Sequence, residues 1–483
     1  MSVEAIGPPR TREDLRPLCV DLDGTLVKSD TLHDSLLVLA RTRPSRLAAL
    51  PAKVLKGKAA FKAFVAGEVS LDVKHLPYNR KLLHYLQSEH AKGRKIYLTT
   101  GADVRLAQRI ADHTGIFSGV LASDGHTNLT GKAKLELLSG EFGAGFDYIG
   151  NDIPDLTLLA ASAEPMIANP TLRLRMRMRH RGLSPARAFS ERAHPASALF
   201  KAVRVHQWAK NSLIFLPLLL SHSLTLPRFF LALLAFACFS FAASALYVFN
   251  DLLDIEADRR HAIKQRRPFA AGDLSAARGI GVIAIFLLLA LSGIHALPAT
   301  FYGWLLVYLA TSLTYSSWLK RIAIVDVLVL SGCYTLRLLA GAAATRNPIS
   351  HWLAGFSVFL FLSLALAKRS AELQKLRAAA ATPHNGRGYL VADIDQLRSF
   401  GTSAASAAVV IFAIYISGSE VTPLYHKPER LWLVVPCMIW WLYRLWLLAS
   451  RGELDEDPMV FAVTDRASLF IGAIVAVIVL LAI

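Results

Sequence analysis

The feature that most constrains this chain is a series of apolar segments that begins near residue 200 and continues to the end of the sequence. About twenty apolar residues suffice for a helix to cross a bilayer. Hydrophobic residues make up 54% of the 483 positions and are concentrated in this second part. The sequence therefore predicts a membrane protein with a soluble front part.

The hydropathy pattern indicates about nine transmembrane helices. Their approximate ranges are 206–221, 229–249, 279–297, 300–317, 324–343, 350–367, 401–418, 431–449 and 467–483. Most Lys and Arg residues in the connections then fall on the side of the front part, which the positive-inside rule assigns to the cytosol. The first twenty residues lack the continuous apolar core of a secretory signal. We therefore expect a multi-pass protein of the cell (inner) membrane with a cytosolic N-terminal domain.

The formal net charge of +17 is interpreted as a topology signal rather than as affinity for nucleic acid. The most basic stretch, TLRLRMRMRHRG at 171–182, has no interleaved aromatic residues. We interpret it as a solvated edge strand or as a linker attracted to anionic lipid headgroups. The four cysteines have no CxxC spacing, so neither a disulfide framework nor a zinc site is indicated.

The stretch LCVDLDGTL at 18–26 is an apolar segment that runs into two aspartates and a glycine. If the segment is a strand, Asp21 stands at its end and Asp23 points the same way. A carboxylate there can attack phosphorus, and a second one can transfer protons. Gly24 permits the tight turn that must follow.

This motif resembles that of the haloacid dehalogenase-like phosphohydrolases, and further matching segments follow along 16–165. They are KIYLTTGAD with Thr100, GKAKLELL with Lys134, which we prefer to Lys132, and FDYIGNDIPDL with Asp152 and Asp155. The resemblance implies a Rossmann-like α/β domain with a helical cap between Ser29 and about Arg94. It implies catalytic roles for Asp21, Asp23, Thr100 and Lys134, with Mg²⁺ bound by Asp21, Asp23, Asp152 and Asp155. Asn151 stands where the family commonly has Asp, so an active phosphatase and a vestigial or regulatory domain both remain open.

A second acidic stretch, FNDLLDIEADRRH at 249–261, directly follows the second apolar segment. On one helix, Asp251, Asp254 and Asp258 share a face. Such a cluster needs a compensating cation, either Mg²⁺ with substrate phosphates or the arginines that follow, Arg259, Arg260 and Arg267.

The pattern NDxxDxxxD followed by Arg267 and Pro268 is similar to the first signature of the UbiA superfamily of intramembrane prenyltransferases. TYSSWLKR, with Tyr315 and Lys320, matches a further element of that family. The resemblance covers about 200–483 and implies an all-α membrane bundle. It also implies that Asp251 and Asp254 are catalytic and bind Mg²⁺ together with Asp258.

The chain departs from the usual pattern where a second acidic cluster is expected, because it reads LALAKRSAELQKLR there. Together with RVHQWAKN at 204–211, this resembles the polyprenyl-phosphate (decaprenyl-phosphate) phosphoribosyltransferase branch, which implies phosphoribosyl pyrophosphate and polyprenyl phosphate as substrates. The residues expected to bind substrate are Lys210, Asn211, Asn250, Lys264, Arg267, Tyr315, Lys320, Lys368, Arg369 and Glu372. Asp326 and Arg337, eleven residues apart, are expected either to pair with each other or pack within the bundle, or to be catalytic.

These patterns predict three regions: a phosphatase-like domain at 1–165, a basic linker at 166–199 and a transferase domain in the lipid bilayer at 200–483. We expect the transferase to move 5-phosphoribosyl to polyprenyl phosphate and the phosphatase to remove the 5-phosphate. Prenyl transfer to an aromatic acceptor, beside an inactive phosphatase-like domain, is the alternative. A scaffold or transporter without catalysis is a third.

Overall fold

The computed structural model describes residues 16–143, 145–378, 387–419, 421–454 and 458–483. These residues form two compact units. The first comprises Met1–Arg204 and Tyr247–Ile283, and the second comprises Val205–Leu246 and Ala284–Ile483. The segment Tyr247–Ile283, which contains the second acidic stretch, therefore belongs to the same unit as the front part.

The first unit is built on a parallel six-stranded sheet with the strand order β3-β2-β1-β4-β5-β6. Its strands are β1 Leu18–Val20, β2 Ile96–Asp103, β3 Gly119–Ser123, β4 Asp147–Gly150, β5 Pro165–Ala168 and β6 Arg187–Phe189. In β1 every residue is buried, as expected for a central parallel strand that is covered on both faces. The predicted N-terminal α/β architecture is confirmed in this form.

Helices connect and cover these strands. They are α1 Thr31–Thr42, α2 Leu50–Leu55, α3 Lys58–Glu68, α4 Arg80–Ala91, α5 Val104–Thr114, α6 Lys132–Glu141, α7 Leu156–Ala161, α8 Leu172–His180 and α9 Pro195–Val203. The first four lie between β1 and β2, within the range expected for a helical cap. Leu18 and Val20 of β1 and Ile96 and Leu98 of β2 share one core cluster with Leu39 of α1 and Leu82 of α4.

The arginine-rich stretch was predicted wrongly as an edge strand or linker, because it forms helix α8. Alternation of arginine with apolar residues suggests a period of two, yet Leu174 and Met178, four residues apart, are the buried pair on a helical face. Thr171 caps the helix by accepting a hydrogen bond from the backbone N–H of Leu174. The sheet then continues to β6, well beyond residue 165.

The described residues of the rest of the chain are mainly helical. Its helices are α10 Leu216–Leu220, α11 Leu226–Leu253, α12 Ile255–Arg260, α13 Ala276–Ala290, α14 Ala299–Ser317, α15 Val325–Thr345, α16 His351–Ala378, α17 Ile394–Ile416, α18 Val434–Arg451, α19 Pro458–Thr464 and α20 Arg466–Ala482. Among the described residues, five segments are long and apolar enough to cross a membrane, namely Leu226–Leu253, Val325–Thr345, His351–Ala378, Val391–Ile416 and Pro428–Arg451.

The predicted number of nine spans is therefore not confirmed. Helices α13 and α20 are apolar but shorter, at 15 and 17 residues. The first predicted span, 206–221, is a 3₁₀ segment, Val205–Phe215, followed by the five-residue helix α10. Its apolar composition was correctly recognised, but composition alone does not distinguish a continuous helix from a broken one.

Close backbone packing in the second unit depends on one glycine of α15. A Cβ atom on Gly341 would lie 2.2 Å from the carbonyl oxygen of Ile214 and 2.8 Å from its carbonyl carbon. Because these are backbone atoms of the 3₁₀ segment, no side-chain rotation can relieve the overlap. Gly332 in the same helix has no atom within 4 Å of the corresponding position.

We predict that Gly341→Ala lowers the free energy of unfolding by about 1–3 kcal/mol, the usual cost of overpacking. Gly332→Ala is the matched control and should be neutral or stabilising, since alanine favours a helix by about 1 kcal/mol. Thermal unfolding of the detergent-solubilised proteins, followed by circular dichroism, measures the difference. Equal melting temperatures for the two variants would contradict the close contact.

Candidate active sites

The first candidate site lies at the carboxyl end of the parallel sheet, where ligands bind in open α/β folds. Asp21 follows β1 directly, and its backbone N–H donates to the carbonyl of Ile149 at 3.0 Å. Gly24 has φ 77°, and a Cβ there would lie 1.9 Å from the amide nitrogen of Asn151. Glycine is required because the loop after β1 turns through left-handed space and touches the loop after β4.

Lys134 is the buried cation of this site. Its Nζ donates to Oδ1 of Asp21 at 2.8 Å, to the hydroxyl of Tyr148 at 3.0 Å and to the carbonyl of Thr99 at 3.1 Å. Burial alone would lower the pKa of Lys134, but the charges of Asp21 and Asp155 raise it. The structure therefore places Lys134 at the predicted nucleophile, whereas the side chain of Lys132 is exposed.

Asp155 organises the loop after β4. Its Oδ1 accepts from the Tyr148 hydroxyl at 2.8 Å, and its Oδ2 accepts from the backbone N–H of Asn151 at 2.9 Å and of Asp152 at 3.2 Å. Gly150 permits this, since a Cβ there would lie 2.6 Å from the Cβ of Asp155. The acidic loop is thus held in place by the residue expected to bind metal.

Two carboxyl groups of the site have raised pKa values. Burial raises the pKa of Asp21 to about 6, although the charge of Lys134 opposes the shift. Burial and the charge of Asp30 raise the pKa of Asp23 to about 7. A carboxyl group that titrates near neutral pH can both donate and accept a proton under physiological conditions.

A cavity of about 420 Å³ opens at these residues. Five residues that the sequence predicted for the site line it, namely Asp21, Asp23, Lys134, Asp152 and Asp155. Thr100 does not line it; its side chain is buried and accepts from the backbone N–H of Ala102 at 3.0 Å. The carboxylates supply hard oxygen ligands of the kind that Mg²⁺ prefers, and one or two of them suffice on the protein side when substrate phosphate and water complete the set.

Sequence reasoning missed several residues of this cavity. Lys62 of α3 donates to the carbonyl of Gly101 at 2.6 Å and to Asn128 at 2.9 Å. Arg192, Asp273 and Arg278 also line the cavity. No local motif marks them, because long-range folding brings them to the loop after β1.

The second candidate site is the acidic stretch, which is not one continuous helix. Helix α11 ends at Leu253, and α12 begins after Asp254. Nη1 of Arg267 lies 3.1 Å from Oδ1 of Asp251 and 2.8 Å from Oδ2 of Asp258, so one guanidinium joins these two carboxylates. Arg204 donates to the same oxygen of Asp251 at 2.6 Å. Asp251 and Asp258 are thus brought together, as their spacing predicts.

Asp254 pairs with a different arginine from the one that joins Asp251 and Asp258. Its Oδ1 lies 3.1 Å from Nη1 of Arg41, which belongs to α1 in the front part of the chain. Arg41 also donates to the carbonyl of Leu253 at 3.3 Å. The break between α11 and α12 falls at Asp254, so the three aspartates do not lie on one continuous helix.

The segment after α11 is attached to the α/β part by a buried ion pair. Nη2 of Arg259 lies 2.8 Å from Oδ2 of Asp34, and both side chains are at most 4% exposed. Ser29 donates to the same carboxylate at 2.7 Å and accepts from Arg259 at 3.1 Å. Arg260, the next residue, is 53% exposed and pairs with Asp72 at 2.7 Å.

In the part of the chain that the structure describes, no three His, Cys, Asp or Glu side chains cluster as ligands of one metal ion. Mg²⁺ commonly uses one or two protein carboxylates and takes its remaining ligands from substrate phosphates and water. Asp251 and Asp258, which share one arginine, meet that requirement. Of the other predicted residues in this stretch, Asn250 is half-buried and Lys264 is exposed.

In the second unit, Arg369 is buried and tied to acidic groups. Its Nε lies 2.8 Å from Oδ2 of Asp326, and it also pairs with Glu372. Tyr389 donates to Asp326 as well. Asp326 therefore pairs with Arg369, and the sequence-based alternative of a pair with Arg337 is wrong.

The remaining predicted residues of this unit occupy several environments. Asn211 is buried, donates to Ser240 at 2.9 Å and accepts from Arg337 at 2.8 Å. The hydroxyl of Tyr315 accepts from Arg387 at 3.0 Å. Lys210, Lys320 and Lys368 are half-buried.

Comparison with known proteins decides the family. The model of the UbiA prenyltransferase family matches residues 212–474, more than half of the chain. The chain belongs to this family. It is accordingly a transferase of the membrane, consistent with the long apolar helices.

Two relatives show how far the similarity extends. The uncharacterized protein y4nM of Sinorhizobium fredii is 37% identical over 467 residues, which cover 95% of this chain and 90% of that protein. Decaprenyl-phosphate phosphoribosyltransferase of Mycobacterium tuberculosis is 33% identical over 229 residues, 46% of this chain and 75% of that protein. A UbiA homolog from Archaeoglobus fulgidus, solved with GPP and Mg²⁺, is 17% identical with a TM-score of 0.44 and covers 58% of this chain and 96% of that one.

We predict that Arg259→Gln destabilises the UbiA-family chain by about 3–5 kcal/mol, because it leaves the Asp34 carboxylate buried without its partner. Arg260→Gln is the adjacent control and should cost less than about 1 kcal/mol, since its pair is exposed. Chemical denaturation of the purified protein in detergent measures both. Similar losses for the two variants would show that burial does not distinguish the pairs.

Proposed function

We propose that the chain transfers a 5-phosphoribosyl group from phosphoribosyl pyrophosphate to a polyprenyl phosphate, and that its α/β part removes the 5-phosphate from the product. The observation that carries this proposal is the paired carboxylates Asp251 and Asp258 with Arg204 and Arg267 beside them. The similarity to decaprenyl-phosphate phosphoribosyltransferase supports the choice of substrates.

In the proposed complex, Asp251 and Asp258 hold Mg²⁺, with Asp254 close by in the chain. The ion, when bound, supplies Lewis-acid stabilisation of the leaving pyrophosphate. Arg204 and Arg267 turn from the carboxylates to the pyrophosphate oxygens, where charge-assisted hydrogen bonds stabilise the departing group. Lys264 and Asn250 contribute further polar contacts to the sugar phosphate.

The acceptor is the phosphate of the lipid. One of its oxygens bonds to the anomeric carbon while the bond from that carbon to pyrophosphate breaks, so no protein nucleophile is needed. Among the residues that replace a second acidic cluster, Lys368 binds the lipid phosphate. Arg369 pairs with both Asp326 and Glu372, and we expect this network to position Lys368. Lys210, Asn211, Tyr315 and Lys320 are further proposed contacts, and Asn211 is held in place by Arg337.

In the α/β part, Asp21 attacks the phosphorus of the 5-phosphate and the ester bond breaks, which leaves an aspartyl-phosphate. Asp23 gives a proton to the departing sugar oxygen, which suits its pKa of about 7. Water then attacks the phosphorus of the aspartyl-phosphate, gives a proton to Asp23 and releases phosphate, which restores Asp21. Lys134 neutralises phosphoryl charge, and Thr100 shapes the backbone of β2 by accepting from the N–H of Ala102. One or two carboxylates among Asp21, Asp23 and Asp152 would hold Mg²⁺, which would supply neutralisation of anionic charge, and Asp155 fixes the loop.

Both reactions use phosphorylated sugars, and we place both on the cytosolic side of the cell membrane. The distribution of basic residues along the sequence supports this orientation. A product released beside a second active site in the same chain meets it at a high effective concentration.

We predict that membranes containing the protein incorporate label from phosphoribosyl pyrophosphate into polyprenyl phosphate. Asp251→Ala should reduce incorporation at least about a hundredfold, because a protein ligand for the pyrophosphate and its metal is lost. Removal of divalent cations with EDTA should have the same effect, and added Mg²⁺ should restore activity. Asp395→Asn, at an exposed carboxylate, is the control variant.

Prenyl transfer to an aromatic acceptor is distinguished by the same membranes. If no label enters lipid while an aromatic acceptor gains a prenyl chain, the phosphoribosyl assignment is wrong and the more general activity of the family stands. If both Asp251→Ala and Asp254→Ala retain full function, the protein is not acting as an enzyme at this site.

For the α/β part, we predict that Asp21→Asn leaves lipid-linked ribose 5-phosphate to accumulate while label incorporation is unchanged. The amide cannot attack phosphorus, and its size preserves the loop. Thin-layer separation of the labelled lipids before and after alkaline phosphatase treatment measures the product. Dephosphorylated lipid formed at an unchanged rate would contradict the coupled scheme.

A further inference from the structure

The wall of the Asp21 cavity includes a segment that sequence reasoning assigned to the transferase. Asp273, Ser275, Ala277 and Arg278 line the same cavity as Asp21 and Lys134. They follow α12 in the chain and belong to the same compact unit as the sheet. Gly272 makes the approach possible, since a Cβ there would lie 2.7 Å from the Cβ of Lys28.

Arg192 faces this segment and has unused hydrogen-bonding capacity. Its Nη2 donates to the backbone carbonyl of Lys28, whereas its Nε is buried and has no hydrogen-bond partner among the described residues. The nearby carboxylate of Asp273 is already engaged by Lys28 at 3.8 Å and by the backbone N–H of Ala193 at 3.2 Å. A buried donor without a partner is costly unless a ligand completes it.

This part of the cavity also carries two positive charges. Arg192 and Arg278 both line the cavity. The pKa of Arg192 is lowered by burial and then by the positive charge of Arg278, although the carboxylates of Asp273 and Asp152 oppose the shift. An anion between the two guanidinium groups would relieve their repulsion and accept the free N–H of Arg192, as phosphates do at arginine clusters.

We propose that Arg192 and Arg278 form a second anion subsite in the Asp21 cavity, so that the phosphatase substrate is a sugar with two phosphate groups. One phosphate is hydrolysed at Asp21, and the other is held by the arginines. This inference rests on the proposed phosphatase function and specifies its substrate class. The second group is either the phosphodiester of a lipid-linked sugar or the second phosphate of a soluble sugar bisphosphate.

Binding tests the subsite independently of turnover. The full-length protein in detergent carries Asp21→Asn and Asp251→Ala, which stop hydrolysis and weaken binding at the acidic stretch. Calorimetric titration then compares ribose 1,5-bisphosphate with ribose 5-phosphate. We expect the bisphosphate to bind at least about tenfold more tightly, the range of one or two charge-assisted hydrogen bonds.

Arg192→Gln and Arg278→Gln, each added to this background, should remove that advantage and leave ribose 5-phosphate within about twofold. Arg175→Gln, at an exposed arginine of α8 outside the cavity, is the matched control and should change neither ligand. Equal affinities for the two sugars, or an advantage that survives both arginine variants, would overturn the subsite. Circular dichroism verifies that each variant retains the fold.

Turnover by the protein with Asp21 intact distinguishes the source of the second group. A lower KM for a short-chain polyprenyl phosphoribose 5-phosphate than for ribose 1,5-bisphosphate indicates the lipid-linked sugar, and the reverse order indicates a soluble bisphosphate. Either order supports a two-phosphate substrate if Arg278→Gln raises KM and leaves kcat unchanged. Binding at the subsite without phosphate release from any substrate would refute the phosphatase function while retaining the anion site.

Discussion

The buried pair between Arg259 and Asp34 is the interaction on which the organisation of the first unit depends. A charged pair removed from water is stable only when both partners and their hydrogen bonds are present. Here the hydroxyl of Ser29 and the carbonyl of Ala270 supply further hydrogen bonds to the two charged groups. Residues near the start of the α/β part and residues after the second apolar helix are therefore fixed in one arrangement.

That arrangement places the Asp21 cavity and the acidic stretch in one compact unit. The loop that follows the acidic stretch supplies part of the wall around Asp21, and α1 supplies the arginine that pairs with Asp254. The carboxylates of the acidic stretch are paired with arginines, because burying a charge is costly unless an opposite charge accompanies it. In the proposed reaction these arginines exchange carboxylate oxygens for phosphate oxygens, so the charge remains balanced throughout.

Much of this could be predicted from the sequence where the signal is local. The strand before Asp21, the sharp turn at Gly24 and the proximity of Asp251 to Asp258 all follow from short-range rules of strand ends and helical spacing. The roles of the site residues remain predictions that the proposed experiments test. The predictions failed where one composition is compatible with two structures, as in the arginine-rich helix α8 and the broken first apolar segment. Arg192 and Arg278 were not predicted, because only the tertiary fold brings them to one cavity and no sequence pattern indicates that proximity.

The placement of Tyr247–Ile283 with the α/β sheet has a consequence for how the protein could have arisen and how it can be divided. A chain cut between 199 and 200 would look like two natural modules, yet each piece would carry an exposed half of a charged interface: Asp34 on one side and Arg259 on the other. A substitution at Asp34 therefore has to be considered together with Arg259, although more than 200 residues separate the two along the chain.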